Sequence, residues 1–359
     1  MLNQKALYCF WKGVIARVYN KIVGGKIMII GDLHFSDVFT GKHKNYLENC
    51  FWVLGKISKK IEETKPSAIV LGGDLIGWTE TNVKDRQVLS MFCKVLQSWN
   101  DVCPVYSVKG NHDIKGYPDF LFLSELGLII TSAECGGYFD YYGTEDQENP
   151  EVRFHFVDYG DEDKALNILH AEGSSNIVLG HNNYTIQGIT TWYSDHDGKE
   201  LGMMQNFGDV DMVISGHIHN PSPEIFSTQM PSGKDCMLFY TGCPTRPIKE
   251  KNLYESCWYV FVEYNSTTKS TDINTDEFKL LPAKEVFYDD EDFVDDKSEE
   301  ELQEGIRKEK LTEVLGDLLK YRISDGDPIK QIQNIPHASP EAKTIATQYL
   351  TIAINQASS

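Results

Sequence analysis

Asp32 and His34 stand two residues apart, directly after an apolar run, where they could hold one cation. The run covers residues 27–30 and ends at Gly31, and such runs are typical of buried parallel strands. Ligands of open α/β sheets collect where these strands end. Side chains two apart in an extended chain point the same way, so a carboxylate oxygen and an imidazole nitrogen can converge on one ion. A single pair of this kind, however, is more often a solvated turn.

The same construction recurs four more times along the chain. Each time an apolar segment is followed by glycine and then by a residue that can bind metal, and these residues are Asp74, Asn111 with His112 and Asp113, His181, and His217 with His219. Glycine lets the backbone turn sharply and approach a site closely. Five strand ends of this type predict one common site at one edge of a sheet.

The composition is that of a folded protein without membrane spans. The chain has 359 residues, of which 41% are hydrophobic, enough for a large core in one large domain or two smaller ones. No segment has the apolar length of a transmembrane helix. The eight cysteines form no Cys-x-x-Cys pair, which favours reduced thiols and a cytoplasmic location over a disulfide framework.

The formal net charge is −19. Strong unaided binding to nucleic acid needs many Lys and Arg contacts with phosphates, so this balance argues against it. The negative charge is compatible with an enzyme in which bound metal ions or a partner protein contact the phosphates.

Patterns along the chain predict an α/β fold with extensions at both ends. Apolar residues at helical spacing predict a basic amphipathic helix within residues 1–25 that ends at Gly24, packed on its own domain or binding a partner or a membrane surface. Helices predicted near 45–64 and 82–99 alternate with the first strands, which indicates a parallel sheet. Later strands near 236–242, 257–264 and 276–281 are predicted to be antiparallel and to complete a second sheet behind the first.

The C-terminal part is predicted to be a linker followed by helices. Residues 285–304 form an acidic run, interpreted as a solvated linker. Two apolar stripes at helical spacing follow within residues 305–359. These stripes must be buried against each other, against the core or against another protein.

The five motifs, in this order and spacing, resemble the calcineurin-like metallophosphoesterases. Gly-Asn-His-Asp, the later Phe-Tyr-Thr-Gly-Cys-Pro and the trailing helices are similar to the SbcD-type nuclease subunit of the SbcCD DNA-repair complex. The resemblance implies a two-sheet α/β sandwich, with mixed sheets flanked by helices, over residues 26–284, followed by a C-terminal helical extension. The chain departs from the serine/threonine phosphatases, because the Asp-Arg-Gly of their second motif is absent, and from SbcD at Gly77 and in a short capping region.

The resemblance also implies a set of roles. Asp32, His34 and His219 would hold a first divalent cation, Asn111, His181 and His217 a second, and Asp74 would bridge them. Manganese is the ion that the family favours, with Fe, Zn and Mg as alternatives. His112 would stabilise the phosphorus centre and protonate the leaving oxygen, and Asp113 would either orient His112 or cap a helix.

Two functions follow from these expectations. The first is a metal-dependent DNA exonuclease or endonuclease of a repair and recombination complex, in which residues 305–359 dock on an SbcC-type coiled-coil ATPase. The alternative is a stand-alone phosphodiesterase or phosphatase on nucleotides or other small phosphoesters, whose helices pack on itself or form a homodimer. Two further side chains, Asp37 and Asn182, are expected to contact the ligands, whereas five histidines are interpreted as structural: His43, His155, His170, His196 and His337.

Overall fold

A computed structural model of the chain describes residues 20–37, 42–77, 83, 85–115, 117–161, 173–186, 199–200, 207–222, 225–247, 249, 254–265, 267–268 and 270–288. Its strands are β1 (Lys21–Val23), β2 (Lys26–Ile30), β3 (Ala68–Leu71), β4 (Val105–Ser107), β5 (Ile130–Thr131), β6 (Tyr138–Tyr142), β7 (Val152–Val157), β8 (Ser175–His181), β9 (Tyr184–Thr185), β10 (Lys199–Glu200), β11 (Met212–Gly216), β12 (Phe226–Gln229), β13 (Asp235–Tyr240), β14 (Ser256–Asn265) and β15 (Ser270–Lys279). Its helices are α1 (Tyr46–Thr64), α2 (Arg86–Asn100), α3 (Asn111–Lys115), α4 (Tyr117–Glu125), α5 (Ser132–Cys135) and α6 (Ala283–Val286). None of these helices is long and apolar enough to cross a bilayer.

Two mixed sheets form the body of the fold. One has six strands in the order β15-β14-β2-β3-β4-β5, and the other has seven in the order β1-β6-β7-β8-β11-β13-β12. β2 to β5 run parallel, and β14 adds antiparallel to β2. In the second sheet β7, β8, β11 and β13 run parallel, with β12 antiparallel at the edge. The predicted two-sheet α/β architecture is confirmed.

Strand β2 shows why its sequence is apolar throughout. Ile27 and Ile29 belong to a core shared with the seven-stranded sheet, whereas Met28 and Ile30 pack in a second core with helices α1 and α2. Successive strand side chains point to opposite faces, so a strand buried on both faces needs hydrophobic residues at every position. β2 therefore lies between a helical layer and a second sheet.

Local capping sets the start of the two covering helices. The Asn45 side chain accepts a hydrogen bond from the Glu48 N–H at 3.1 Å, and the Asp85 side chain accepts one from the Gln87 N–H at 2.8 Å. These caps satisfy N–H groups that have no partner inside the helix. Helix α1 matches the predicted 45–64, whereas α2 begins at Arg86, later than the predicted 82.

Four sequence predictions are wrong in the described residues. The segment 21–23 is strand β1, parallel to β6, and not the end of a helix, because pairing with β6 and burial of Ile22 outweigh the helical spacing. β13 is antiparallel to β12 as predicted, although parallel to β11, but β14 and β15, predicted to complete a second sheet, extend the sheet of β2 instead. The five strands that carry the predicted ligands divide between two sheets instead of sharing one. Val286 and Phe287, at the start of the predicted solvated linker, are buried, whereas Glu285 is exposed. Residues 1–19, 289–304 and 305–359 lie outside the described part.

His43 is a buried imidazole that anchors this C-terminal end of the domain. Its Nε2–H donates to the Arg246 carbonyl at 2.8 Å, and its ring lies 4.3 Å from that of Phe287. Burial, with a smaller contribution from the Arg246 charge, lowers the pKa of His43 to about 4 despite the hydrogen bond to the Arg246 carbonyl. The interpretation of His43 as structural therefore agrees with its position.

His43 should make the protein less stable in acid. Because its pKa is lower in the folded state than the ordinary 6.5, the unfolded chain binds a proton first as the pH falls, and folding stability drops between pH 6.5 and 4 by up to about 3 kcal/mol. The variant His43→Gln keeps a donor for the Arg246 carbonyl but cannot be protonated. Urea unfolding at pH 7 and pH 5 should show the wild type losing about 2 kcal/mol more than the variant; equal losses would contradict this assignment.

Candidate metal centre

Seven predicted ligand residues come together where the carboxyl ends of strands from both sheets meet. β2, β3 and β4 carry Asp32, His34, Asp74 and Asn111 from the six-stranded sheet, and β8 and β11 carry His181, His217 and His219 from the other. Contacts between these side chains cross from one sheet to the other. The site is therefore formed between two sheets and not along the edge of one.

Two glycines allow this convergence because a side chain would occupy the site itself. A Cβ added at Gly110 would lie 2.1 Å from Asp74 Oδ1, and one added at Gly216 would lie 2.0 Å from Asp32 Oδ1. Such distances are far below van der Waals contact. The glycine before each ligand, recognised from sequence, is thus explained by close packing of backbone against carboxylate.

Three of the ligand residues have a strained backbone. His34, Asp74 and His217 have φ angles of 42°, 43° and 77°, in the left-handed region that non-glycine residues rarely adopt. Each such residue costs about 1–3 kcal/mol and persists where surrounding contacts hold it, most often at functional sites. This strain turns the three side chains toward one another.

Asp74 lies at the centre of the cluster. Its Oδ2 is 3.1 Å from His181 Nε2 and 3.6 Å from His34 Nε2, and its Oδ1 accepts a hydrogen bond from the His112 N–H at 2.7 Å. Burial alone would raise the pKa of Asp74, but the surrounding histidines hold it well below its usual range. Asp74 is therefore an ionised carboxylate placed between two groups of nitrogen donors.

The histidines on either side of Asp74 present nitrogen lone pairs to the cluster. His34 Nδ1 and His181 Nδ1 each lie 2.8 Å from a backbone carbonyl, of Gly77 and Gly72 respectively. A carbonyl only accepts, so each Nδ1 carries the hydrogen and each neutral ring leaves Nε2 for an ion, the arrangement usual for metal-binding histidines. Gly77, which departs from the SbcD pattern, thus orients His34 through its carbonyl.

Asn111 and His217 complete the side of the cluster beyond Asp74. Asn111 Oδ1 lies 3.2 Å from His181 Nε2 and 3.0 Å from His217 Nδ1. On the opposite side, His34 Nε2 lies 3.1 Å from His219 Nε2. Donor atoms this close, from imidazoles, an amide and the carboxylates of Asp32 and Asp74, match the ligand types of divalent transition metals.

The protonation states suit cation binding. Burial and neighbouring histidines lower the pKa of His34 well below 6.5 and that of His217 to about 3, so both are neutral. For His181, burial is outweighed by Asp74 and Asp32, which raise its pKa to about 10. A cation bound there must release that proton, as ligand deprotonation requires.

The hydrogen bonding of the Asp32 carboxylate shows whether the residues fit a metal ion. Its Oδ2 accepts a hydrogen bond from the His217 N–H at 2.8 Å. Its Oδ1 is fully buried and has no hydrogen-bond partner among the described groups. A buried oxygen without a partner is costly, and a cation would satisfy it. The donor set therefore fits a divalent metal site.

His112 lies beside the cluster at the start of α3. Its ring centroid is 5.0 Å from that of His34, edge to face, while its backbone N–H holds Asp74. This position brings a ring nitrogen of His112 within 4.8 Å of donor atoms of His34 and Asp74. Its role as proton donor stays a prediction.

Asp113 caps helix α3 and links two loops of the site. It accepts hydrogen bonds from the N–H groups of Gly110 at 2.9 Å, Leu75 at 2.9 Å and Ile76 at 3.1 Å. The capping alternative thus describes its hydrogen bond to Gly110. The contacts to Leu75 and Ile76 tie the loop after Asp74 to the loop before Asn111.

Two residues near the cluster were not predicted from sequence. Cys243 is fully buried and places its Sγ within 4.8 Å of donor nitrogens of His34 and His219. The Tyr159 ring lies 5.7 Å from the His217 ring. The signal for Cys243 was available: it follows a strand and Gly242, the construction shared by the other ligands.

The remaining sequence assignments divide clearly. Asp37 accepts a hydrogen bond from the Asp85 N–H at 2.6 Å, and Asn182 accepts one from the Asn183 N–H at 2.7 Å. These bonds stabilise local loops, and the expected contacts of the two residues with the ligands stay predictions. His155 lies 3.1 Å from Asn176 Oδ1 within the seven-stranded sheet, consistent with a structural role. His170, His196 and His337 lie outside the described residues.

Comparison with known proteins gives a family match and two named relatives. The family model described as calcineurin-like phosphoesterase matches residues 25–221. The SbcD subunit of the nuclease SbcCD of Staphylococcus epidermidis is 25% identical over 221 residues, which cover 55% of this chain and 57% of that protein. The DNA double-strand break repair protein Mre11 of Nanoarchaeum equitans is 32% identical over 89 residues, 25% of this chain and 24% of that protein.

Among solved structures, a dimetal phosphatase from Danio rerio aligns with a TM-score of 0.44 and 12% identity, covering 71% of this chain and 98% of that one.

Proposed function

The chain belongs to the calcineurin-like phosphoesterase family, and from this premise we propose that it is a two-metal phosphodiesterase that cleaves DNA. The observation that carries the proposal is the position of Asp74. This carboxylate forms one group of close donors with His181 and His217, and its Oδ2 also lies 3.6 Å from Nε2 of His34, a proposed ligand of the other ion. A carboxylate common to two donor groups supports a pair of neighbouring cations.

In this proposal the residues divide into two sets of ligands. Asp32, His34 and His219 would hold one ion, Asn111, His181 and His217 would hold the other, and Asp74 would be shared by the two sets. When bound, two divalent cations neutralise phosphate charge and activate a water for attack. Manganese is the ion we propose, with Fe, Zn and Mg as the alternatives to be tested.

The residues of the chain supply orientation and a proton. The carbonyls of Gly72 and Gly77 fix the rings of His181 and His34, so no ring needs to reorient when substrate enters. His112 stands at the rim of the cluster and donates a proton to the leaving oxygen of the phosphodiester, while its backbone N–H keeps Asp74 in place.

DNA is proposed as the substrate because one named relative is a nuclease subunit and the other is a DNA double-strand break repair protein by name. The net charge of −19 means that a partner must supply a basic surface. We propose that this partner is a coiled-coil ATPase of the SbcC type, bound by residues 305–359, and that the complex acts in cytoplasmic DNA repair and recombination.

A second function is favoured by the charge alone. An acidic protein without a partner is better suited to nucleotides or other small phosphoesters than to long DNA, because a small ester needs few phosphate contacts. In that case residues 305–359 pack on the protein itself or form a homodimer.

Hydrolysis assays distinguish these functions. The full chain is incubated with Mn²⁺ and either linear duplex DNA or bis-p-nitrophenyl phosphate. Each reaction is run with and without the SbcC-type ATPase proposed as its partner. We expect hydrolysis of the small ester by the chain alone and DNA cleavage that rises at least tenfold with the ATPase. Hydrolysis of the small ester without DNA cleavage under any condition would favour the second function, and failure on both substrates would overturn the family-based proposal.

A further inference from the structure

Cys243 brings a sulfur atom to one end of the candidate metal centre. Its Sγ and the donor nitrogens of His34 and His219 all lie within 4.8 Å of one another, and the three side chains are buried. Two imidazoles and a thiol at such separations are a ligand set that binds zinc-like ions. This group shares no residue with the donor group of Asp74, His181 and His217.

The backbone around Cys243 is held against the loop that carries His219. The Cys243 N–H donates to the His219 carbonyl at 2.9 Å, and the Tyr254 hydroxyl donates to the Cys243 carbonyl at 2.7 Å. Gly242 has a φ of 82°, and a Cβ there would lie 3.0 Å from the His219 carbonyl oxygen. The position of the thiol is therefore fixed by the same contacts that place His219.

The surroundings of the thiol are suited to a cation. Its hydrogen-bond neighbour among the described residues is the Thr245 hydroxyl, at 3.4 Å. Asp32 Oδ1 in the same centre is buried and has no hydrogen-bond partner among the described groups, so a cation bound at the centre would satisfy it.

We propose that Cys243 is a sulfur ligand of the cation held by His34 and His219, and that this position prefers thiophilic ions such as Zn²⁺ or Co²⁺ to Mn²⁺ or Mg²⁺. Soft sulfur donors select such ions, whereas hard ions prefer oxygen. On binding, the thiol proton leaves to solvent and the thiolate forms the bond to the metal. The proposal rests on the two-metal function above and makes its two positions chemically different.

Cobalt spectroscopy tests the sulfur directly. The metal-free full chain is titrated with Co²⁺, and the near-ultraviolet band of sulfur-to-cobalt charge transfer is recorded with the visible bands of bound cobalt. We expect the ultraviolet band in the wild type and in Cys236→Ser, a variant of another buried cysteine. In Cys243→Ser we expect the ultraviolet band to disappear while the visible bands persist.

Competition between metals gives the second measurement. Replacing Cys243 with serine should weaken Zn²⁺ binding by about tenfold or more and change Mn²⁺ binding less than threefold. If the variant does not fold, zinc X-ray absorption of the wild type decides, since a sulfur neighbour at about 2.3 Å is expected.

The outcomes separate this proposal from the proposed function. Cobalt bound with visible bands but without charge transfer, or zinc without a sulfur neighbour, would overturn the role of Cys243 and leave the two-metal site intact. A chain that binds neither ion would overturn both.

Discussion

Replacing Asp74 with alanine is expected to remove both metal ions and to reduce phosphodiester hydrolysis by about 10³-fold or more. Asp74 is the carboxylate close to both His34 and His181, and it lies between the two donor groups. Without this carboxylate, each ion would lose a charged ligand, and the two ions would lose the ligand that they share. Metal activation contributes several kcal/mol to such reactions, and each 1.36 kcal/mol is a factor of ten in rate.

Metal content and activity should be measured on the same samples. Plasma mass spectrometry after dialysis against Mn²⁺ gives the ions per chain, and bis-p-nitrophenyl phosphate gives the rate. Asp140→Asn is the matched control, because Asp140 is also a buried carboxylate but pairs with Arg153 at 2.6 Å, away from the cluster. We expect the control to keep its metal. An Asp74→Ala protein that retained two ions would show that Asp74 does not bridge them.

Replacing His112 with alanine is expected to reduce DNA cleavage by about 10²–10⁴-fold, the range of general acid catalysis, while metal content stays unchanged. The backbone N–H that holds Asp74 remains in the variant, so the ligands keep their positions. Only the imidazole beside His34 is lost.

The leaving group provides the sharper test of His112. Cleavage of DNA releases an alkoxide, which needs a proton, whereas p-nitrophenolate is stable without one near neutral pH. His112→Ala should therefore lose at least tenfold more activity on DNA than on bis-p-nitrophenyl phosphate. The control is Ile114→Ala, an exposed residue of the same helix, which should retain both activities within about twofold, as surface substitutions usually do. Equal losses on both substrates would remove the role of proton donor.

Local patterns predicted the elements that carry the site. An apolar run, a glycine and then an aspartate or histidine identifies a strand end from a few adjacent residues, so β2, β3, β4, β8 and β11 were all predicted near their observed bounds. Apolar periodicity likewise predicted α1. These features depend on neighbours in the chain, and sequence contains that information directly.

Local patterns could not predict which strands pair when they are distant in the sequence. Whether β13 joins β11 in parallel, or whether residues 21–23 leave a helix to pair with β6, depends on partners far away in the sequence. Hydrophobic and β-branched residues at these positions are compatible with either arrangement. The pairing is therefore decided by the free energy of the assembled sheets.

The sequence alone thus determined the chemistry of this protein: the ligand types, the glycines that precede them and the family to which the motifs belong. Tertiary structure decided how those ligands meet. Packing of Ile27 and Ile29 against the seven-stranded sheet brings His181 and His217 to Asp74 and Asp32, and the turn at Gly242 brings Cys243 to His219. Residue identity is a local property, whereas distances between side chains of different sheets follow only from the packing of both sheets in one core.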